Sequence, residues 1–186
     1  MEAAIVRPRR LLAPVVALVA MGVLAAMVVT GRSPENRQLV RASGAGVMTQ
    51  TPVEIDRVEL QTQTMRWTFI RERDGWKAGA GGRAVPASLA VHLDDSIKFM
   101  HVSAPVRVMD RTEWAPVGLR EFGLDPPDYT ALLYRRDTRV IGADFGAPNP
   151  QKVLQYMKLQ DRDELYLMSR FVGQEWEQAL REASAQ

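Results

Sequence analysis

The stretch YTALLYRRDTRVIGADF, residues 129–145, decides the fold. Its two ends, Tyr129 to Tyr134 and Val140 to Phe145, are apolar runs of strand length, and Arg136-Asp137-Thr138 between them supplies polar turn residues. Two strands joined this tightly cannot be parallel, because a parallel pair needs a crossover of a dozen or so residues. The stretch predicts a hairpin, and with it a domain built around an antiparallel sheet.

Toward the C-terminus, Val153 to Leu159 and Glu164 to Met168 predict a second hairpin across Asp161-Arg162-Asp163. Ser169 is placed to cap a last helix whose Val172, Trp176, Ala179 and Leu180 fall on one face. Toward the N-terminus, Asp110 and Glu113 make a capping box. The short helix they open carries Trp114, Val117 and Leu119 and stops at Gly123, after which Asp125-Pro126-Pro127 predicts an extended exit. Val106 and Val108 predict a strand. Behind Pro86, Leu89, Leu93, Ile97 and Met100 recur at helical spacing. Alternation at Val58 and Leu60, then at Met65, Trp67 and Phe69, and a turn at Asp74-Gly75 before Trp76 make 53–78 a three-stranded meander. The order βββ-α-β-α-ββββ-α predicts an α+β domain, an antiparallel sheet with helices packed on one face.

Ahead of this domain, Leu11 to Val29 contains no charged or strongly polar side chain. A helix of that length spans about 28 Å, close to the hydrocarbon thickness of a bilayer. The run is longer than a usual signal-peptide core, and its best small-residue cleavage site, Val23-Leu24-Ala25, falls inside it. An uncleaved signal anchor is the expectation. Arg7, Arg9 and Arg10 lie closer to the run than Arg32, Arg37 and Arg41 do, and the α-amine joins them, which places the N-terminus in the cytoplasm. The organisation expected is a cytoplasmic tail at 1–10, a transmembrane helix at 11–29, a flexible tether at 30–52, a soluble domain at 53–182 and a tail at 183–186. The protein is then a single-pass inner-membrane protein with its C-terminal domain in the periplasm.

Charge and composition narrow the function. The chain carries 24 basic and 22 acidic residues, but residues 1–50 hold six Arg against Glu2 and Glu35, so the remainder is slightly acidic. No basic cluster marks a nucleic-acid surface. The absence of cysteine removes disulfides, thiolate catalysis and Cys-based metal sites. His92 and His101 have no carboxylates at ligand spacing: Asp94 and Asp95 are adjacent, so they point about 100° apart on a helix. Ser88, Ser96, Ser103 and Ser169 lack a nucleophile setting, and Gly79-Ala80-Gly81-Gly82-Arg83 lacks the Lys-Ser/Thr of a phosphate loop. Asp161 and Asp163 flank a turn without the further oxygens calcium needs. Trp67, Trp76, Trp114 and Trp176 fall mostly on core-facing positions. No catalytic, cofactor or metal residues are expected, and no enzyme.

The string Gly123-Leu124-Asp125-Pro126-Pro127, with Gly75-Trp76 before it and Phe145-Gly146, Tyr156 and Leu165-Tyr166-Leu167 after it, resembles a bacterial family catalogued as domain of unknown function 4340. The resemblance covers roughly 53–182. In this chain Trp76-Lys77-Ala78-Gly79-Ala80 departs from that family's pattern after the turn. The family supplies no catalytic residues. Its members are commonly encoded beside membrane components of ABC-type transport or gliding-motility-like systems, which implies an auxiliary role in an integral membrane protein complex. Three functions compete. An anchored accessory or scaffolding subunit needs an exposed apolar or Arg-rich patch near the tether. A periplasmic domain for a small ligand, glycan or peptide needs a pocket lined by some of Trp67, Trp76, Trp114 and Tyr156. A hydrolase needs a cluster around His92 or His101.

Overall fold

Residues 18–22, 25 and 46–185 are described by the structure, a computed structural model. The chain divides into two units, Met1–Ser43 and Gly44–Gln186. In the first, residues 18–22 and 25 are helical and exposed. The rest of the apolar run at 11–29, the tail at 1–10 and the tether as far as residue 45 lie outside the described residues. Among the described residues, no helix is long and apolar enough to cross a membrane.

The second unit is a mixed α and β domain on an eight-stranded antiparallel sheet. Its strands are β1 (Arg57–Gln61), β2 (Arg66–Glu72), β3 (Gly75–Ala78), β4 (Arg107–Met109), β5 (Tyr129–Arg135), β6 (Thr138–Pro148), β7 (Leu154–Leu159) and β8 (Leu165–Ser169). Their order across the sheet is β3-β2-β1-β5-β6-β7-β8-β4. The hairpin at 129–145 thus sits at the centre, with β1 on one side and β7 on the other. Helix α1 (Ala87–Val102) connects β3 to β4, which form opposite edges of the sheet.

Cross-strand partners share a face, so the register identifies the core side. Leu60 pairs with Trp67 and with Ala131, Leu133 with Ile141, Tyr129 with Phe145, Phe145 with Met157, and Met157 with Tyr166. Against this face pack α1, through Leu89, Leu93, Ile97 and Met100, and the last helix, α3 (Arg170–Ser184), through Val172, Trp176 and Ala179. All seven of these helix side chains are fully buried. Burial of a Leu, Ile or Met side chain contributes about 1.5–3 kcal/mol, which makes the α1 stripe a leading contributor to the domain.

The opposite face carries a smaller core. Met109 and Leu165, paired between β4 and β8, meet Leu124 there, with Trp114, Leu119, Phe122 and Tyr156 around them. It is covered by the short helix α2 (Arg111–Trp114) and a 3-10 turn at Leu119–Phe122. The helices therefore do not all lie on one face. The two long ones do, and the short pieces cover the far side at the β7-β8-β4 end, because Tyr156 and Leu165 alternate outward from Met157 and Tyr166.

Local readings are corrected in four places. The helix opened by Asp110 does not run on to Gly123; Gly118, at φ 88°, separates α2 from the 3-10 turn. Residues 125–127 do not leave extended but turn back, Leu124 bridging to Pro127, since Leu124 is anchored in the small core. The last part of the tether belongs to the domain: Gly46 N–H donates to the His101 carbonyl at 2.6 Å, and Met48 N–H to Met100 at 3.0 Å. Met48 and Val47 are buried there, and Pro52–Glu54 forms a 3-10 turn ahead of β1. At the other end α3 continues to Ser184 with Ala183 buried, which takes the fold past residue 182.

Candidate functional site

The residues of the Gly-Leu-Asp-Pro-Pro string build a contact between elements. Gly123 is left-handed, φ 67°, and ends the 3-10 turn. A Cβ on Gly146 of β6 would stand 2.3 Å from the Phe122 carbonyl oxygen and 2.9 Å from Leu124 Cγ. The absence of a side chain at Gly146 thus lets the segment lie directly on β6, with Phe122 edge-on to Tyr156 at 4.9 Å. Gly123, Leu124 and Tyr156 come together. Asp125 and Pro126 are exposed, Tyr166 faces the main core, and Gly75 and Trp76 lie in the far edge strand. The motif positions support the fold from three places and do not converge on one site.

Chemistry-bearing side chains gather along the seam where α1 and α3 run antiparallel. His92 Nδ1 is 2.7 Å from Glu175 Oε2, and its Nε2 is 3.6 Å from Glu182 Oε1. The Ser88 hydroxyl donates to Glu182 Oε2 at 2.7 Å. The carboxylates that His92 lacks on its own helix are supplied by α3, seven residues apart on one flank. His101 instead holds the N-terminal segment, Nδ1 lying 3.1 Å from the Met48 carbonyl oxygen. Asp94 accepts from Arg71 at 2.5 Å and from Trp76 Nε1 at 3.0 Å, which fastens α1 to β2 and β3. Among the described residues, no three His, Asp or Glu side chains are placed to hold a metal ion together.

A second polar cluster lies under the first turns of α3. Arg170 donates to Gln155 Oε1 at 2.9 Å and to Glu177 Oε2 at 2.7 Å, and Gln155 Nε2 donates to the Gly146 carbonyl at 2.9 Å. The Tyr129 hydroxyl donates to the Gly173 carbonyl at 3.0 Å. Burial holds the Tyr129 phenol well above its ordinary range, reinforced by the nearby Glu177 carboxylate. Its proton is therefore retained and committed to a backbone acceptor. The cluster fixes α3 to the sheet.

The four aromatic residues of a ligand-binding reading are divided. Trp76 is buried in the main core, Trp114 donates Nε1–H to the Asp163 carbonyl at 2.9 Å on the other face, and Tyr156 packs on Phe122. Trp67 is half-buried and lines a shallow cleft of about 350 Å³ with Arg66, Phe69, Gly79 and Ala183.

The remaining feature is apolar. At the end of α1 and the start of α3, Phe99 meets Phe171 edge-on at 4.9 Å. Phe171 and Val102 are exposed, as are Val106, just ahead of β4, and Val108 within it, at 44–60%. Val106 N–H donates to the Leu167 carbonyl, two residues before β8 ends at α3. Val102 follows His101, whose carbonyl accepts from the Gly46 N–H. Sequence reading placed Val106 and Val108 in a strand. Nothing local marked them as an edge, because their neighbour β8 comes much later in the chain.

Searches of family models, of curated proteins and of solved structures each find no match to this chain.

Proposed function

We propose that this protein is a non-catalytic accessory or scaffolding subunit of an integral membrane protein complex, held at the inner membrane by residues 11–29 with its domain on the periplasmic side. The observation that carries the reading is the uncharged run Leu11 to Val29, which precedes the folded unit Gly44–Gln186 in the sequence. The Gly123 to Pro127 string and its resemblance to a membrane-anchored family support it. So does the commitment of the prominent polar groups, His92, Asp94, Arg170 and Tyr129, to contacts that hold the long helices to each other and to the sheet. Of the four aromatic residues a ligand pocket would use, three are packed or hydrogen-bonded in two separate cores.

The test is purification of the tagged full-length chain from its own membranes in mild detergent, beside a form starting at Gly44. The expected result is a defined integral membrane partner that co-elutes with the full-length chain in fixed proportion through gel filtration. Partner loss with the shorter form assigns the contact to the N-terminal segment. Failure of both forms to retain a partner overturns the reading, and a ligand screen against the cleft beside Trp67 then follows.

A further inference from the structure

His92 stands where the two long helices face each other, and each nitrogen of its ring meets a carboxylate of the other helix. Nδ1 is 2.7 Å from Glu175 Oε2, and Nε2 is 3.6 Å from Glu182 Oε1. A neutral imidazole has one N–H and one lone pair, so it serves one of these carboxylates and turns a lone pair on the other. An imidazolium donates to both. We infer that His92 is a proton-operated latch: on gaining its second proton it bridges Glu175 and Glu182 and clamps α3 to α1. The shorter contact assigns the first proton to Nδ1, toward Glu175. The second goes to Nε2, and the wider gap to Glu182 is the one it closes. The latch lies wholly within the folded domain and does not depend on the anchor reading.

The charges around the ring favour the protonated state. From α3 come Glu175 and Glu182, while Arg181, the cation beside Glu182 in the chain, donates to Gln178. On α1, Asp95 lies one turn on from His92, and Asp94 is engaged by Arg71 and Trp76. Lys98, six residues on, falls about 120° away around the helix. Ser88, one turn before His92, donates to Glu182 Oε2 at 2.7 Å and holds that carboxylate in place. Toward the sheet α1 presents Leu89, Leu93, Ile97 and Met100 to an apolar core. The latch therefore adds stability that is complete below the histidine range and is lost as pH rises through it. It is lost again at strong acid, where the two carboxylates give up their charge. Ala183, next to Glu182 on the last turn of α3, walls the cleft beside Trp67, so the latch also sets how firmly that wall is held.

The experiment is hydrogen exchange of the full-length chain, read by mass spectrometry at about pH 7.5 and about pH 5.5, across the range in which histidine changes charge. Rates are corrected for the intrinsic effect of pH on amide exchange. The expected result is about threefold greater protection of α3 at the acid value, the scale of one partly exposed ion pair. His92→Gln and Glu182→Gln should each lose this gain, and His101→Gln should keep it. Equal protection at the two pH values overturns the latch, as does a gain that survives in His92→Gln. A gain untouched by Glu182→Gln reduces the contact to a single pair with Glu175, which overturns the bridge. Nitrogen-15 shifts of the ring in the unmutated chain make the test independent of any variant's folding. One proton, on Nδ1, is expected at the upper pH and two at the lower. A single proton found on Nε2, or a ring that stays singly protonated at the lower pH, overturns the inference.

Discussion

Gly173 lies so close to Gln155 that a Cβ on it would stand 1.8 Å from the Gln155 amide oxygen and 3.1 Å from the Tyr129 hydroxyl. In an ordinary helix, replacing glycine by alanine stabilises by about 1 kcal/mol. Here the sign reverses, because the methyl group displaces the amide that ties Arg170 to the Gly146 carbonyl. Gly173→Ala is expected to destabilise the domain by about 1–3 kcal/mol, read as a lowered urea midpoint at unchanged slope. A raised midpoint would mean that α3 is not packed this closely on the sheet.

Ser96 presents the opposite case. Its side chain is fully buried on α1, and its hydroxyl meets no hydrogen-bond partner. A buried polar group without a partner costs about 1–3 kcal/mol, and alanine also has the higher helix propensity. Ser96→Ala is expected to raise the thermal midpoint, and calorimetry that finds a clear loss of stability would show that the hydroxyl is satisfied.

Met48 tests where the domain begins. The side chain is buried among core residues, ahead of the boundary that composition alone placed at residue 53. Met48→Ala is expected to cost about 2–5 kcal/mol in denaturant titration. A chain starting at Val53 should lose stability against one starting at Gly44, and equal midpoints would return residues 46–52 to the role of a tether.

Asp110 gives a pH signature. It accepts from the Thr112 hydroxyl and amide and from the Glu113 amide, and these bonds hold its carboxyl below the ordinary aspartate range. A lowered folded-state pKa contributes stability that is present above the unfolded value and is lost as pH falls through the folded value. Wild type should exceed Asp110→Ala in stability at neutral pH, and the gap should close on acidification through the carboxylate range. A gap that persists at the acid end would assign the effect to packing.

The sequence was most legible where both halves of a contact were local. The hairpin at 129–145, the α1 stripe and the Asp110-Glu113 box each carry their signal within one window, and each forms as that window dictates. The seam around His92 was not legible, because Glu175 and Glu182 come from a helix that begins far later in the chain. An amphipathic α3 with two carboxylates one heptad apart was the available sign. Proline before Pro127 predicted extension because the rule concerns one residue's backbone, whereas burial of Leu124 in a second core turned the chain. That second core was itself hidden, since Tyr156 and Leu165 reach the far face only through the period of two in β7 and β8.

The sheet places β4 outside β8, so Arg107 finds its partner Leu167 only when nearly the whole domain has been made. Such late, distant pairing slows folding, because the loop must be closed before the contact rewards it. For a chain that emerges N-terminus first, β4 with its Val108 stays unpaired while β5, β6 and β7 assemble, and it is open to association with other chains throughout. On the anchored reading proposed above, a leading segment held in the membrane would keep such unfinished domains apart in its plane. The anchor would then act as a brake on aggregation during birth, before it acts as an address.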